Sequence, residues 1–200
     1  MLVNMRKVNK QSSSIILQKR LGYKVGGDNK KLANLLCDEQ YSICAYTETY
    51  LGRSDKKDIE HFNPTLKDTV YDNYQNWFLV KAQWNGEKAS KWTEYQPILN
   101  PTNEEFEKRI VYFEGEYTAA SSDDQEALNL ISLLKLDDPE LAMERRCYLE
   151  NLKENLDLYG KSAQQYIDYL LGTRPSLIYF IRAIEEELQV KVNFDLMKTT

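Results

Sequence analysis

Two hundred residues with 42% apolar side chains suit one packed core, and a net charge of −5 argues against a free nucleic-acid binder. No apolar run approaches the roughly 18 residues that cross a bilayer, and the opening MLVNMRKVNKQSSS lacks the pattern of a secretory signal, so a cytoplasmic chain with no membrane contact is expected. Three scattered cysteines (Cys37, Cys44, Cys147) form no CxxC pair, which excludes a disulfide framework and a cysteine-rich zinc site and predicts reduced, mostly buried thiols.

Residues 1–36 read as a basic arm and a short helix. Residues 1–35 carry eight Lys or Arg against one Asp, and QSSS and GYKVGG predict weak order. A helix is predicted at NKKLANLLCDEQ, where Leu32, Leu35 and Leu36 recur at helical spacing. Residues 37–100 form the second stretch. YSICAYTETYL, rich in β-branched and aromatic residues, predicts a strand or hairpin arm. A charged turn follows at Gly52–Lys57, and DIEHF predicts a short strand closed by Asn63-Pro64. NWFLVKAQW is apolar enough for a buried strand or the start of a helix, and NGEKASKW predicts a short helix with Asn85 near its start. PILNP marks a boundary near residue 100.

Residues 101–200 read as a helical block: EEFEKRIVYF, SSDDQEALNLISLLKL, PELAMERRCYLENLKENLDLYG, AQQYIDYLLG and PSLIYFIRAIEEELQV all carry helical apolar spacing. Residues 101–160 hold fifteen acidic side chains against six basic ones. The asymmetry is either ordinary surface variation or a basic arm for phosphate joined to an acidic face for a protein partner.

The chain has one histidine, His61, directly after Glu60 in DIEHFNP. Asn76, Asn85, Lys88 and Lys91 follow in order. A metal-assisted phosphodiester hydrolase needs a base that is neutral near pH 7, which histidine supplies. It needs hard oxygen ligands for a divalent ion, a group that orients the imidazole, and cations for the phosphate. Neighbours on a strand point to opposite faces, so Glu60 and His61 share a site only at a bulge or a strand end. On spacing alone, a buried structural histidine remains the competing reading.

CAYTE, DIEHFNP and YDNYQNWFLVKAQWN with the lysine after it resemble the HNH nuclease core, the ββα-metal or His-Me finger. With MRKVNK, PILNP and LLKLDDPELAMERR as flanks, the chain is more closely similar to HNH endonucleases of Septu and retron-associated antiphage systems, over residues 5 to about 150. The fold this implies is α+β, with a ββα-metal core in a mostly α-helical protein. By position, the resemblance makes His61 the general base and Asn76 the residue that steadies it. It makes Glu60 and Asn85 ligands of a magnesium-like ion, and sets Lys88 against phosphate, with Lys91 just beyond. It also implies a DNA or RNA substrate and an ABC/SMC-like ATPase partner in a defence complex. Relatives often add cysteine pairs that bind zinc; here the places read Cys44-Ala-Tyr-Thr47 and Ala82-Gln-Trp84, so no structural zinc is expected. Packing by Tyr46, Trp77, Trp84 and Trp92 is expected instead.

Other candidates are weaker. The aromatic run from Trp77 to Tyr95 is expected in the core rather than against bases, and Asp123-Asp124 and Asp137-Asp138 at helix starts and turns rather than on metal. Glu185–Glu187 reads as a solvated helix face. Ser12–Ser14 lack a second histidine as base, and no P-loop is present. Two rival functions remain: an inactive HNH-fold scaffold, and a helical interaction module in which His61 is structural.

Overall fold

The computed structural model describes residues 6–88 and 90–197. Met1–Met5 of the basic arm, Ala89 in NGEKASKW and Lys198–Thr200 lie outside the described residues. The architecture is α+β, with two small antiparallel sheets among short and long helices. No helix of the described residues is long and apolar enough to cross a membrane.

Strand β1 (Lys57–His61) pairs antiparallel with β2 (Trp77–Lys81), in a register that sets Glu60 opposite Phe78 and His61 opposite Trp77. Trp77, Phe78, Leu79 and Val80 are all buried, as a continuous apolar run predicts for a strand covered on both faces. The chain passes without a break from Lys81 into a helix over Ala82–Lys88. That helix starts three residues before Asn85, so Asn85 lies inside it rather than at its start.

Upstream, α1 (Ile15–Gln18) is capped by the Ser14 hydroxyl, which accepts from Ile16 N. Helix α2 (Lys30–Glu39) buries Leu32 and Leu36, and the helix after β2 is α3 (Ala82–Lys88). The arm is more firmly placed than its composition suggests: Val8 and Ile16 enter the core. The Lys10 ammonium donates to the Trp77 carbonyl and sits 4.5 Å and 4.3 Å from the ring centres of Tyr74 and Phe78. Burial lowers the Lys10 pKa to about 7, against the attraction of Glu39.

YSICAYTETYL forms no strand; only an Ile43–Tyr50 bridge remains. Tyr41, Ser42 and Glu48 adopt positive φ near 60°, which breaks the extended run. The segment is nonetheless buried. Ala45 N donates to Leu79 O, and the Glu48 carboxylate accepts from Arg6 N, Tyr117 Oη and Arg182 N. Glu48 thereby ties the arm, a hairpin and the last long helix to one buried charge.

The C-terminal half is not wholly helical. EEFEKRIVYF gives one turn, α4 (Phe106–Arg109), and then β3 (Ile110–Phe113), which pairs with β4 (Glu116–Ala119). The β-branched pair Ile110-Val111 and the turn at Glu114-Gly115, both at positive φ, favour a hairpin over a helix. The remaining helices start and stop where their caps predict. Asp124 caps α5 (Gln125–Leu134), and Asp138 with Pro139 at the first position caps α6 (Pro139–Tyr159). Gly160 at φ 70° ends α6, and Ser162 with Gln165 makes a capping box for α7 (Ala163–Thr173). Helix α8 (Ile181–Leu188) closes the fold. Its Glu185 and Glu187 face Arg182 and Lys153 rather than open solvent. One apolar cluster runs from Val8 through β2 and α5 to Val190, across all three stretches of the sequence. Of the thiols, Cys44 is buried, Cys37 half-buried and Cys147 exposed on α6, so burial is less general than expected.

Candidate active site

The unit β1–β2–α3 places its polar residues by simple periodicity. Asp58 and Glu60 are two apart on β1 and share a face. Asn85 and Lys88 are three apart on α3 and share a helix face. The two faces meet, and His61, last residue of β1, completes the wall at the strand end. Together with Tyr23, Pro64 and Lys67 these side chains line a cavity of about 340 Å³. Four of the six residues singled out in the sequence, Glu60, His61, Asn85 and Lys88, are therefore brought together. Asn76 lies behind the cavity and Lys91, exposed on a turn, lies away from it.

The His61 ring is buried, with its Nε2 3.0 Å from Asp72 Oδ2, off the N–H axis, so the contact is electrostatic rather than an aligned hydrogen bond. Burial lowers the His61 pKa, and the Asp72 carboxylate opposes that shift. A mostly neutral imidazole with a carboxylate ready to stabilise its cation is the state a general base requires. Nδ1 makes no hydrogen bond among the described residues, and the ring edge meets Tyr23 at a centroid distance of 4.5 Å.

Asn76 does not touch the imidazole. Its Oδ1 accepts from Asn63 N at 2.8 Å, and its Nδ2 donates to Asn63 O and to Asp72 Oδ1, each at 3.1 Å. Trp77 Nε1 also donates to Asp72 Oδ1, at 2.8 Å. Asn76 thus closes the neck of the 62–76 loop and aims Asp72, which in turn faces His61. The steadying role read for Asn76 is indirect, and the group that meets His61 is Asp72. Nothing in YDNYQN marks Asp72 in the sequence, because it sits in an aperiodic loop.

Glu60 and Lys88 are buried together, each 3% exposed, with the ammonium against Glu60 Oε1. Lys88 also donates to the carbonyls of His61 and Phe62. Its charge is directed inward, as a brace on the end of β1, rather than outward toward a phosphate. Burial raises the Glu60 pKa and lowers that of Lys88, and their mutual attraction opposes both shifts. Tyr46 Oη donates to the same Oε1 at 3.2 Å. Burial raises the Tyr46 pKa, so the phenol stays a donor.

The donor set suits a hard divalent cation. Glu60 Oε2 makes no hydrogen bond among the described residues, and Asn85 uses only its Nδ2, which donates to Asp58 Oδ2 at 3.0 Å. Two carboxylates and a carboxamide oxygen thus border one cavity, the ligand chemistry of magnesium or calcium rather than zinc. Asp58 was given no role in the sequence, although its spacing from Glu60 signals a shared face. Cys44 and Thr47 are buried, Thr47 sharing a hydroxyl hydrogen bond with Thr49. Tyr46, Trp77 and Trp92 are buried and Trp84 packs partly buried against the same core. No family model, curated protein or solved structure matches the chain.

Proposed function

We propose that the chain is a metal-dependent endonuclease of the HNH, His-Me finger type, hydrolysing phosphodiester bonds of DNA or RNA. The observation that carries this reading is His61, backed by Asp72, at the rim of a cavity that Asp58, Glu60 and Asn85 also line. His61 takes a proton from water as the water oxygen bonds to phosphorus, and Asp72 stabilises the imidazolium that forms. The ester P–O bond breaks as the new one forms. Glu60, Asn85 and Asp58 would hold a magnesium-class ion, which would supply neutralisation of the charge that develops on the leaving oxygen. Lys88 keeps Glu60 and the end of β1 in place. The resemblance extends the proposal to an ABC/SMC-like ATPase partner in antiphage defence, with the acidic helical half as its docking face.

One observation favours an inactive scaffold instead: Glu60 Oε1 is already matched by Lys88 and Tyr46. A cleavage assay on single- and double-stranded DNA and RNA with Mg²⁺ or Mn²⁺, with and without the partner, separates the readings. Activity is expected that His61→Ala abolishes and Asp72→Asn reduces by about 10²-fold or more, with circular dichroism unchanged. Equal products from wild type and His61→Ala, or none under all conditions, support the scaffold.

A further inference from the structure

The cavity at His61 does not end at the catalytic wall. A second cavity, of about 550 Å³, adjoins it and shares Tyr23, Asp58 and Ile59, continuing past Lys57 to Gly27 and Lys30. Tyr23 stands at the junction and lines both cavities. Its ring meets His61 edge-on at an interplanar angle of 88°, and the Lys67 ammonium lies 5.5 Å from the ring centre. Its chain is anchored by Asn29, whose Oδ1 accepts from Lys24 N and whose Nδ2 donates to Lys24 O, both at 2.8 Å. Gly26, at φ 64°, makes the turn that returns the loop to Asn29.

The second cavity sets Lys30 and Lys57 against Asp28 and Asp58, and Lys67 adds a cation on the His61 side, where Lys88 and Glu60 pair with each other. Lys67 and Lys30 are exposed and form no salt bridge among the described residues. Lys57 lines the second cavity and donates only weakly, to Leu51 O at 3.4 Å. Asp28 lines the same cavity, and its Oδ1 accepts from Lys30 N. A half-buried tyrosine beside the base, with unpaired lysines on either side, combines the two elements of single-strand recognition: a stacking face and a cationic track.

We infer that the Tyr23 cavity seats the unpaired nucleotide next to the scissile phosphate, its base against Tyr23 and its backbone met by Lys67 on the His61 side and by Lys30 and Lys57 beyond. The substrate class is therefore a nucleic-acid strand with an unpaired nucleotide at the cut, rather than a fully paired duplex. The inference rests on the nuclease reading, and Tyr23 has a binding role here rather than a chemical one.

The test measures fluorescence anisotropy of a short labelled single-stranded DNA, and its RNA equivalent, binding to the full chain in Mg²⁺. All variants carry His61→Ala, so no effect can pass through the imidazole. Tyr23→Ala should weaken binding about 5- to 100-fold and Tyr23→Phe hardly at all. Lys30→Gln with Lys67→Gln should flatten the salt dependence by up to about two phosphate contacts. Blunt duplex should bind more weakly than single strand. Tyr23→Ala binding as tightly as its parent, an equal preference for duplex, or no binding at all overturns the inference. His61-dependent cleavage together with Tyr23-independent binding leaves the nuclease reading standing and removes the subsite. Tyr23-dependent binding without any cleavage removes the nuclease reading, and with it the scissile phosphate, and keeps only a strand-binding cavity.

Discussion

Lys88→Met isolates the charge buried beneath the site. Methionine keeps the unbranched stem and removes the ammonium, so Glu60 loses its partner and Trp92 loses the cation 5.1 Å from its ring centre. Breaking a buried pair costs about 3–5 kcal/mol because the remaining carboxylate is left without compensation. The carbonyls of His61 and Phe62 also lose a donor, at about 1 kcal/mol each. Tyr46 still donates to Glu60, which brings the total below that sum of about 5–7 kcal/mol, to about 4 kcal/mol. For a chain of this size that is a fall in Tm of about 8–16 °C. Glu60→Gln combined with Lys88→Met should recover about half of the loss, since no charge remains to be buried. Millimolar Mg²⁺ should stabilise the single variant and not the double, because only the former keeps the Glu60 carboxylate. Urea unfolding followed by circular dichroism, with and without Mg²⁺, reads all four states. A loss below about 1 kcal/mol, or a double variant as unstable as the two single losses added together, refutes the coupling of Glu60 to Lys88.

Two further outcomes follow from the core. Lys10 has a folded pKa of about 7 against an ordinary 10.5, so between those values the unfolded chain binds more protons and stability rises with pH. The unfolding free energy of wild type minus that of Lys10→Met should therefore climb by up to about 1.4 kcal/mol per pH unit above pH 7 and be flat below it, and a flat difference throughout removes the buried lysine from the account. Arg145, fully buried on α6, donates to the carbonyls of Gly115 and Leu136 and stacks 4.4 Å from the Tyr117 ring centre. Arg145→Ala should cost about 3–5 kcal/mol through a cavity and two orphaned carbonyls, measured by denaturant unfolding, and a loss under about 1 kcal/mol contradicts those contacts.

The sequence carried the helices of the C-terminal half because their signals are local. Asp124, Asp138, Gly160 and Ser162 act on the backbone within a few residues of themselves. It carried β1 through the closing Asn63-Pro64, but left NWFLVKAQW open between a buried strand and the start of a helix, where β2 runs on into α3. IVYF was misread because its apolar residues fit a helical period over four positions, while the positive φ at Glu114 and Gly115 that commits the chain to a hairpin lies just beyond it. YSICAYTETYL was misread because its hydrogen bonds go to Leu79, Arg6 and Tyr117, partners that no local pattern encodes. The site divides along the same line. His61, Glu60, Asn85 and Lys88 were legible as an ordered set, but their contacts were not: the inward turn of Lys88 depends on carbonyls at the end of β1. Asp72 was invisible because its value comes from the distance to one histidine across a folded loop. Tyr23 was invisible because it reaches the site from a segment whose composition suggests no fixed position.

The neck of the 62–76 loop separates the site from the loop's exposed tip. Phe62 N and Asn63 N are both tied to Asn76, by its carbonyl and its side chain, so the ends of the loop meet below its tip. Val70 and Tyr71, at 91% and 70% exposure, project from that tip and hold nothing in the core. A loop closed at its base passes little of a change at its apex to its ends, and lengthening it costs only slowly growing entropy. The tip can therefore change in length and chemistry at Val70 and Tyr71 while Asp72, held by Asn76 and Trp77, keeps its distance to His61.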